Sequence, residues 1–237
     1  MIVRISPGGI ELITQPDHAH LARRVMEHCT PLAARPRRDA ILHAIAEHDN
    51  GWTEEDAAPR VDSATGQIVD FVNASEAVRQ AVWPRGVQRL AHDPWAAALV
   101  AQHAMTVYDR YRTDPGWAPF FARMRALRDE MMEASGGTLD DLALDYTFVR
   151  LADLISLTFC AGWTDEQSFG GWTVRLSGAN VVVAPDPFDV AAIPLEVAAK
   201  VLDHERYVSD EALRMALSAA TSTTLRGAVL GSRPQPD

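Results

Sequence analysis

His48 and Asp49 stand side by side at the end of an apolar helical stripe, in the run Ala40-Ile-Leu-His-Ala-Ile-Ala-Glu-His-Asp-Asn-Gly-Trp52. Ile41, Leu42 and Ile45 recur at helical spacing and His48 and Asp49 continue their face, so an imidazole and a carboxylate are aimed at the core. Burying an ionised carboxylate costs several kcal/mol, roughly, unless it is paired or coordinates a metal. The pair therefore asks for a cation.

Three further stretches put a metal-capable side chain on an inward stripe. His18 lies above Leu21, Ala22 and Val25, His103 between Leu99 and Val107, and Asp153 within Leu151-Ala-Asp-Leu-Ile155. Imidazole nitrogen with carboxylate oxygen suits iron, manganese or zinc better than magnesium or calcium, which prefer all-oxygen shells. The expectation is a buried site for a divalent transition metal held by His18, His48, Asp49, His103 and Asp153. Each residue also has a structural reading: Asp153 capped by Arg150, His48 and Asp49 as an ordinary helix end, His18 bonded in a first turn, and His103 bonded to a carbonyl. His20 and His43 fall on the polar sides of their helices and are read as solvated, and His28 and His204 as incidental.

A histidine, then an adjacent histidine and aspartate, then a distant aspartate is an order that resembles the HD-domain superfamily of helical metal-dependent enzymes. His18, the pair His48 and Asp49, and Asp153 match that pattern position by position across roughly residues 14 to 161. Gln15-Pro-Asp-His18 and Glu47-His-Asp-Asn-Gly-Trp52 are also similar to a bacterial HD-related family of unknown function. The resemblance implies an HD-like helical bundle and one or two bound ions. Two-metal members add histidines between the pair and the last aspartate; His103 is the candidate here, while His92 sits in a loop before the Asp93 helix cap. That favours one ion, with His103 as an extra ligand or an acid/base group.

The chemistry implied is metal-assisted hydrolysis of a small anionic substrate, a phosphate ester or nucleotide. The ion lowers the pKa of a bound water and polarises a phosphoryl oxygen. Asp49 both ligates and takes the proton, and Arg150, one turn before Asp153, binds the anion or pairs with that aspartate. Arg60 and Arg85 are weaker substrate candidates. With no glycine-rich phosphate loop, metal and arginine alone must hold the phosphate. Two alternatives are an HD-type diiron oxygenase acting on a small organic substrate and a noncatalytic, metal-stabilised sensor or scaffold.

Composition narrows the field. A net charge of -10 over 237 residues argues against a general nucleic-acid binder. Lys200 is the only lysine, which disfavours Schiff-base chemistry. Cys29 and Cys160 lie in apolar surroundings with no disulfide or zinc spacing, so a reducing compartment is expected. No run approaches a signal peptide or a membrane span of about 20 apolar residues. A cytoplasmic protein without a membrane partner is the expectation.

The elements that must position these residues follow from periodicity and punctuation. A hairpin around Ser6–Gly9 leads to a helix capped by Thr14, then helices over 39–49, 94–111, 117–134 and 139–160, the last near-continuously apolar. Pro59, Gly66, Pro84 and Gly86 mark a long connection. Strands are expected at 172–176, 180–184, 193–202 and 223–230, with a helix over 209–220. The fold class expected is mainly α: an HD-like bundle with an N-terminal hairpin over residues 1–162, and a small α+β appendage with antiparallel strands over 163–237. A disordered tail is expected from Gly231.

Overall fold

Local signals set the helical half of the molecule. The computed structural model describes residues 1–6 and 8–232. In α1 (Gln15–Met26) the Thr14 hydroxyl accepts from the Asp17 backbone N–H, and Pro16 occupies the first turn. A single turn, α2 (Thr30–Ala33), precedes α3 (Arg38–Glu47), and α4 (Thr53–Ala57) follows the tight turn Asn50–Trp52. After α5 (Glu76–Arg89), Asp93 caps α6 (Pro94–Val107), which packs against α7 (Ala118–Ser135). The long α8 (Leu139–Ala161) opens on a reciprocal Thr138/Asp141 capping box and closes on Gly162 at φ 68°. It is buried on nearly every side from Tyr146 to Cys160 and packs against α1, α3 and α6. Among the described residues no helix is long and apolar enough to cross a membrane.

The strands overturn the expectation of a mainly helical fold with a small antiparallel appendage. β1 (Ile2–Ser6), β2 (Gly9–Ile13), β3 (Gln167–Phe169), β4 (Trp172–Ser177), β5 (Asn180–Ala184), β6 (Ile193–Leu202) and β7 (Thr221–Gly231) form one seven-stranded sheet, ordered β1-β2-β6-β7-β5-β4-β3. It is mixed, because β5 and β7 run parallel, and it curls into a half-barrel beside a chain about half helical. The N-terminal hairpin is not separate: Ile10 pairs with Leu202 and Leu12 with Lys200, so residues from both ends of the chain share one sheet. β6 alternates from Ile193 to Lys200, with Ile193, Leu195, Val197 and Ala199 buried. One face therefore closes over α1 and the common core. Pairing also satisfies edges that a free hairpin would leave open. Helix α9 (Asp210–Ala219) connects β6 to β7.

Two further expectations change. The long connection contains α5, capped by Ser75, with Pro84 inside it. Of the residues that read as breakers, Gly86 lies where α5 meets the Asn50–Trp52 turn: a Cβ on it would come 2.7 Å from Asn50 Oδ1. At the C-terminus, Gly231 ends β7 and the Ser232 N–H donates to the Val183 carbonyl at 2.8 Å. The rest of the expected tail, residues 233–237, lies outside the described residues, as does Pro7 in the hairpin turn.

Asp145 on α8 anchors the far side of the bundle. Only 1% exposed, it accepts from Arg35 Nε at 2.7 Å and Trp95 Nε1 at 3.0 Å. Asp145→Ala strands both donors, so unfolding free energy should fall by about 3–5 kcal/mol in denaturant titration, with metal content untouched. A change below about 1 kcal/mol would mean the pair is dispensable.

Candidate metal centre

Four helical segments bring five buried side chains to one place. His18 comes from the first turn of α1, His48 from the C-terminus of α3, Asp49 from the step into the Asn50–Trp52 turn, His103 from the middle of α6 and Asp153 from the middle of α8. All are at most 7% exposed. Donor atoms of His18, His48 and Asp49 lie within 4.8 Å of one another, as do those of His48, His103 and Asp153, so the two groups share His48. The sequence-derived candidates thus fall into two adjoining groups joined at His48.

Hydrogen bonding orients all three imidazoles the same way. His48 Nδ1 lies 2.8 Å from the Ile45 carbonyl and must donate to it, which leaves Nε2 facing inward. The Ser156 hydroxyl donates to the Asp153 carbonyl at 3.1 Å and so accepts from His18 Nδ1 at 2.9 Å. His103 Nδ1 lies 3.1 Å from the Tyr146 hydroxyl. The inward Nε2 atoms meet carboxylates: His18 to Asp49 at 2.8 Å, His48 to Asp153 at 3.4 Å and to Asp49 at 3.6 Å, and His103 to Asp153 at 3.7 Å. His48 Nε2 is a buried polar atom with no hydrogen-bond partner. A donor set of imidazole nitrogens and carboxylate oxygens around such an orphan could hold a metal ion.

The electrostatics show what holds the cluster together. Burial acts against a charged His48, but the Asp49 and Asp153 carboxylates outweigh it and raise its pKa to about 9. At His103 burial dominates and lowers the pKa to about 3. Burial also opposes charge on the two aspartates, yet His48 and His18 beside Asp49, and His48 and Arg150 beside Asp153, hold both carboxyls below their usual range. In metal-free protein the raised His48 pKa contributes stability that is complete below the ordinary value of 6.5 and lost as pH rises through about 9. A metal ion held by His48 would compete with that proton for Nε2. Metal affinity should therefore rise with pH up to about 9, with proton release seen by calorimetry in buffers of different ionisation enthalpy. An affinity flat with pH and no proton release would exclude His48 as a ligand.

The centre forms the polar end of a cavity of about 440 Å³. Asp49, His103 and Asp153 face this space, while His18 and His48 stand behind them. Arg150 also lines it and pairs with Asp153 through Nη1. Trp52, Phe71, Trp83 and Tyr108 supply apolar walls.

The remaining candidates are sorted by the same contacts. Arg85 is structural: its Nε and Nη2 both donate to the Gly51 carbonyl, at 3.0 and 2.6 Å. Arg60 pairs with Glu55 and lines a different cavity. His20 stays largely exposed, His43 bonds Asp93 at 2.7 Å, and His28 bonds Asp189 at 3.1 Å. Cys29 and Cys160 are buried free thiols, pushed up by burial, Cys29 to about 11. Sequence reasoning missed Ser156, although it follows Asp153 by one turn, and Gln15, which precedes His18 by the same interval and lines the cavity with an unpartnered Oε1. Arg79 carried no signal, since its helix read as a loop.

The chain belongs to DUF3891, a family of proteins of unknown function, whose model matches residues 1–204. No curated protein and no solved structure matches it, and nothing found links the chain to the HD-domain superfamily.

Proposed function

We propose that this chain is a metal-dependent hydrolase of HD type, a phosphohydrolase acting on a small phosphate ester or nucleotide in the cytoplasm. The observation that carries this reading is the convergence of His18, His48, Asp49, His103 and Asp153 at the end of a cavity that Arg150 also lines. Bound there, an iron, manganese or zinc ion supplies a Lewis acid and a water of lowered pKa. His18, His48, Asp49 and Asp153 would hold it. Asp49, facing the cavity, accepts the proton of the attacking water, and Arg150 steadies charge on the phosphoryl oxygens. The neutral imidazole of His103, kept so by burial, orients the anion or serves as an additional ligand.

A phosphate-release screen across phosphate monoesters and nucleotides tests this reading, run with protein loaded with manganese, iron or zinc. Turnover that is abolished by chelation and restored by metal is expected; a metal-replete protein inert toward every ester would refute it. One second reading, a two-iron oxygenase with His103 as a ligand of the second ion, draws on Asp153, whose two oxygens face His48 and His103 separately. Two irons per chain and an absorbance change on exposure to dioxygen would select it.

A further inference from the structure

Arg79 stands outside the metal centre but lines the same cavity. Its guanidinium carbon lies 5.9 Å from the ring centre of Tyr108, 5.3 Å from that of Tyr111 and 5.5 Å from that of Trp117, and Nη1 donates to the Tyr111 hydroxyl at 3.0 Å. Among the described residues no ion pair involves it, and its buried Nε has no acceptor. Aromatic faces stabilise the charge of a guanidinium, but they do not fill the acceptor positions in its plane. Arg150 differs, being paired with Asp153. Arg110 lines the cavity as well, its guanidinium 4.8 Å from the Tyr111 ring centre.

A run of aromatic contacts links the metal-side residues to Arg79. The His103 ring lies 5.6 Å from that of Trp83, Trp83 lies 6.1 Å from Tyr108, and Arg79 stacks beyond Tyr108. We propose that Arg79, with Arg110 beside it, is a second anion subsite, and that the cavity's ligand is a small molecule with two acidic groups joined by an apolar or aromatic spacer. One group lies at the metal and Arg150; the other takes the planar donor fork of Arg79, which suits a carboxylate or phosphate. The metal-side group being a phosphate ester rests on the hydrolase reading, whereas the subsite at Arg79 does not.

Calorimetry on metal-loaded protein tests the subsite with three probes: phenylphosphonate, 4-carboxyphenylphosphonate and the dicarboxylate terephthalate. The carboxyphenyl compound should bind about tenfold to a hundredfold more tightly than phenylphosphonate. In Arg79→Gln that ratio should fall to about one, with phenylphosphonate affinity changed less than about twofold. Because Arg79 also packs on three rings, Arg79→Lys and Arg110→Gln are measured alongside it, each expected to lower the ratio. In native protein, raising chloride should lower the ratio too. Equal binding of the two phosphonates, a ratio indifferent to Arg79 and to salt, or no binding of any probe would overturn the subsite. Arg79-dependent binding of terephthalate without phosphonate binding, or of the phosphonates without any ester hydrolysis, would sink the phosphohydrolase reading and leave the subsite standing.

Discussion

Asp153→Asn is expected to empty the candidate metal centre and, on the proposed hydrolase reading, to reduce hydrolysis about a hundredfold, the upper end of the loss seen when an outer partner of a metal is removed. Asp153 faces His48 Nε2 through one oxygen and His103 Nε2 and Arg150 through the other, so it joins both groups of donors. An asparagine keeps the volume but gives up the charge that offsets Arg150 and attracts the ion. Asp153→Ala goes further. It leaves the Arg150 guanidinium without its carboxylate, and metal-free protein should lose about 3–5 kcal/mol of stability in denaturant titration. Metal should then raise the melting temperature of native protein and leave both variants unmoved. Full metal content in Asp153→Asn, by elemental analysis after gel filtration, would remove Asp153 from the site.

Gly51→Ala should be among the most destabilising single-methyl additions in the chain. A Cβ there would lie 2.0 Å from the Val82 carbonyl oxygen and 2.8 Å from its carbon, both backbone atoms of α5 that cannot rotate away. The turn would have to leave the helix, breaking the bonds that Arg85 and Arg89 make to the Gly51 and Asn50 carbonyls. A cost of about 3 kcal/mol or more is expected, which for a chain of this size lowers the melting temperature by about 6–12 °C. Asp49 sits at the start of that turn, so metal affinity should fall as well. Gly136→Ala is the contrast: Gly136 ends α7 at φ 65° with nothing within 4 Å of where the added methyl would stand, so only the backbone preference of about 1 kcal/mol is lost. Equal melting losses for the two variants would show that α5 and the turn can separate at little cost.

The clustering of the candidate donors was legible in the sequence because these residues ride on helical stripes. Ile41, Leu42 and Ile45 fix the face that carries His48 and Asp49, and the caps at Thr14 and Asp93 fix where two other helices begin. What escaped was pairing across the chain. The alternation of β6 declares a half-buried strand, but nothing local says that its neighbour is the N-terminal hairpin or that β5 and β7 lie parallel. Helix α5 was hidden for a different reason. Pro84 and Gly86 have low helix propensity, yet Gly86 is what allows α5 and the turn to approach, and tertiary contact outweighs propensity there. With α5 went Arg79, and with it the second charged pole of the cavity.

Anomalous diffraction at the absorption edge of the bound metal, from crystals of metal-loaded protein, tests the central claim most directly. The peak should fall among His18 Nε2, His48 Nε2 and the carboxylates of Asp49 and Asp153, with ligand distances near 2.0–2.2 Å, the usual range for such donors. A peak at any other set of residues, or none in protein that carries stoichiometric metal by elemental analysis, would contradict the account.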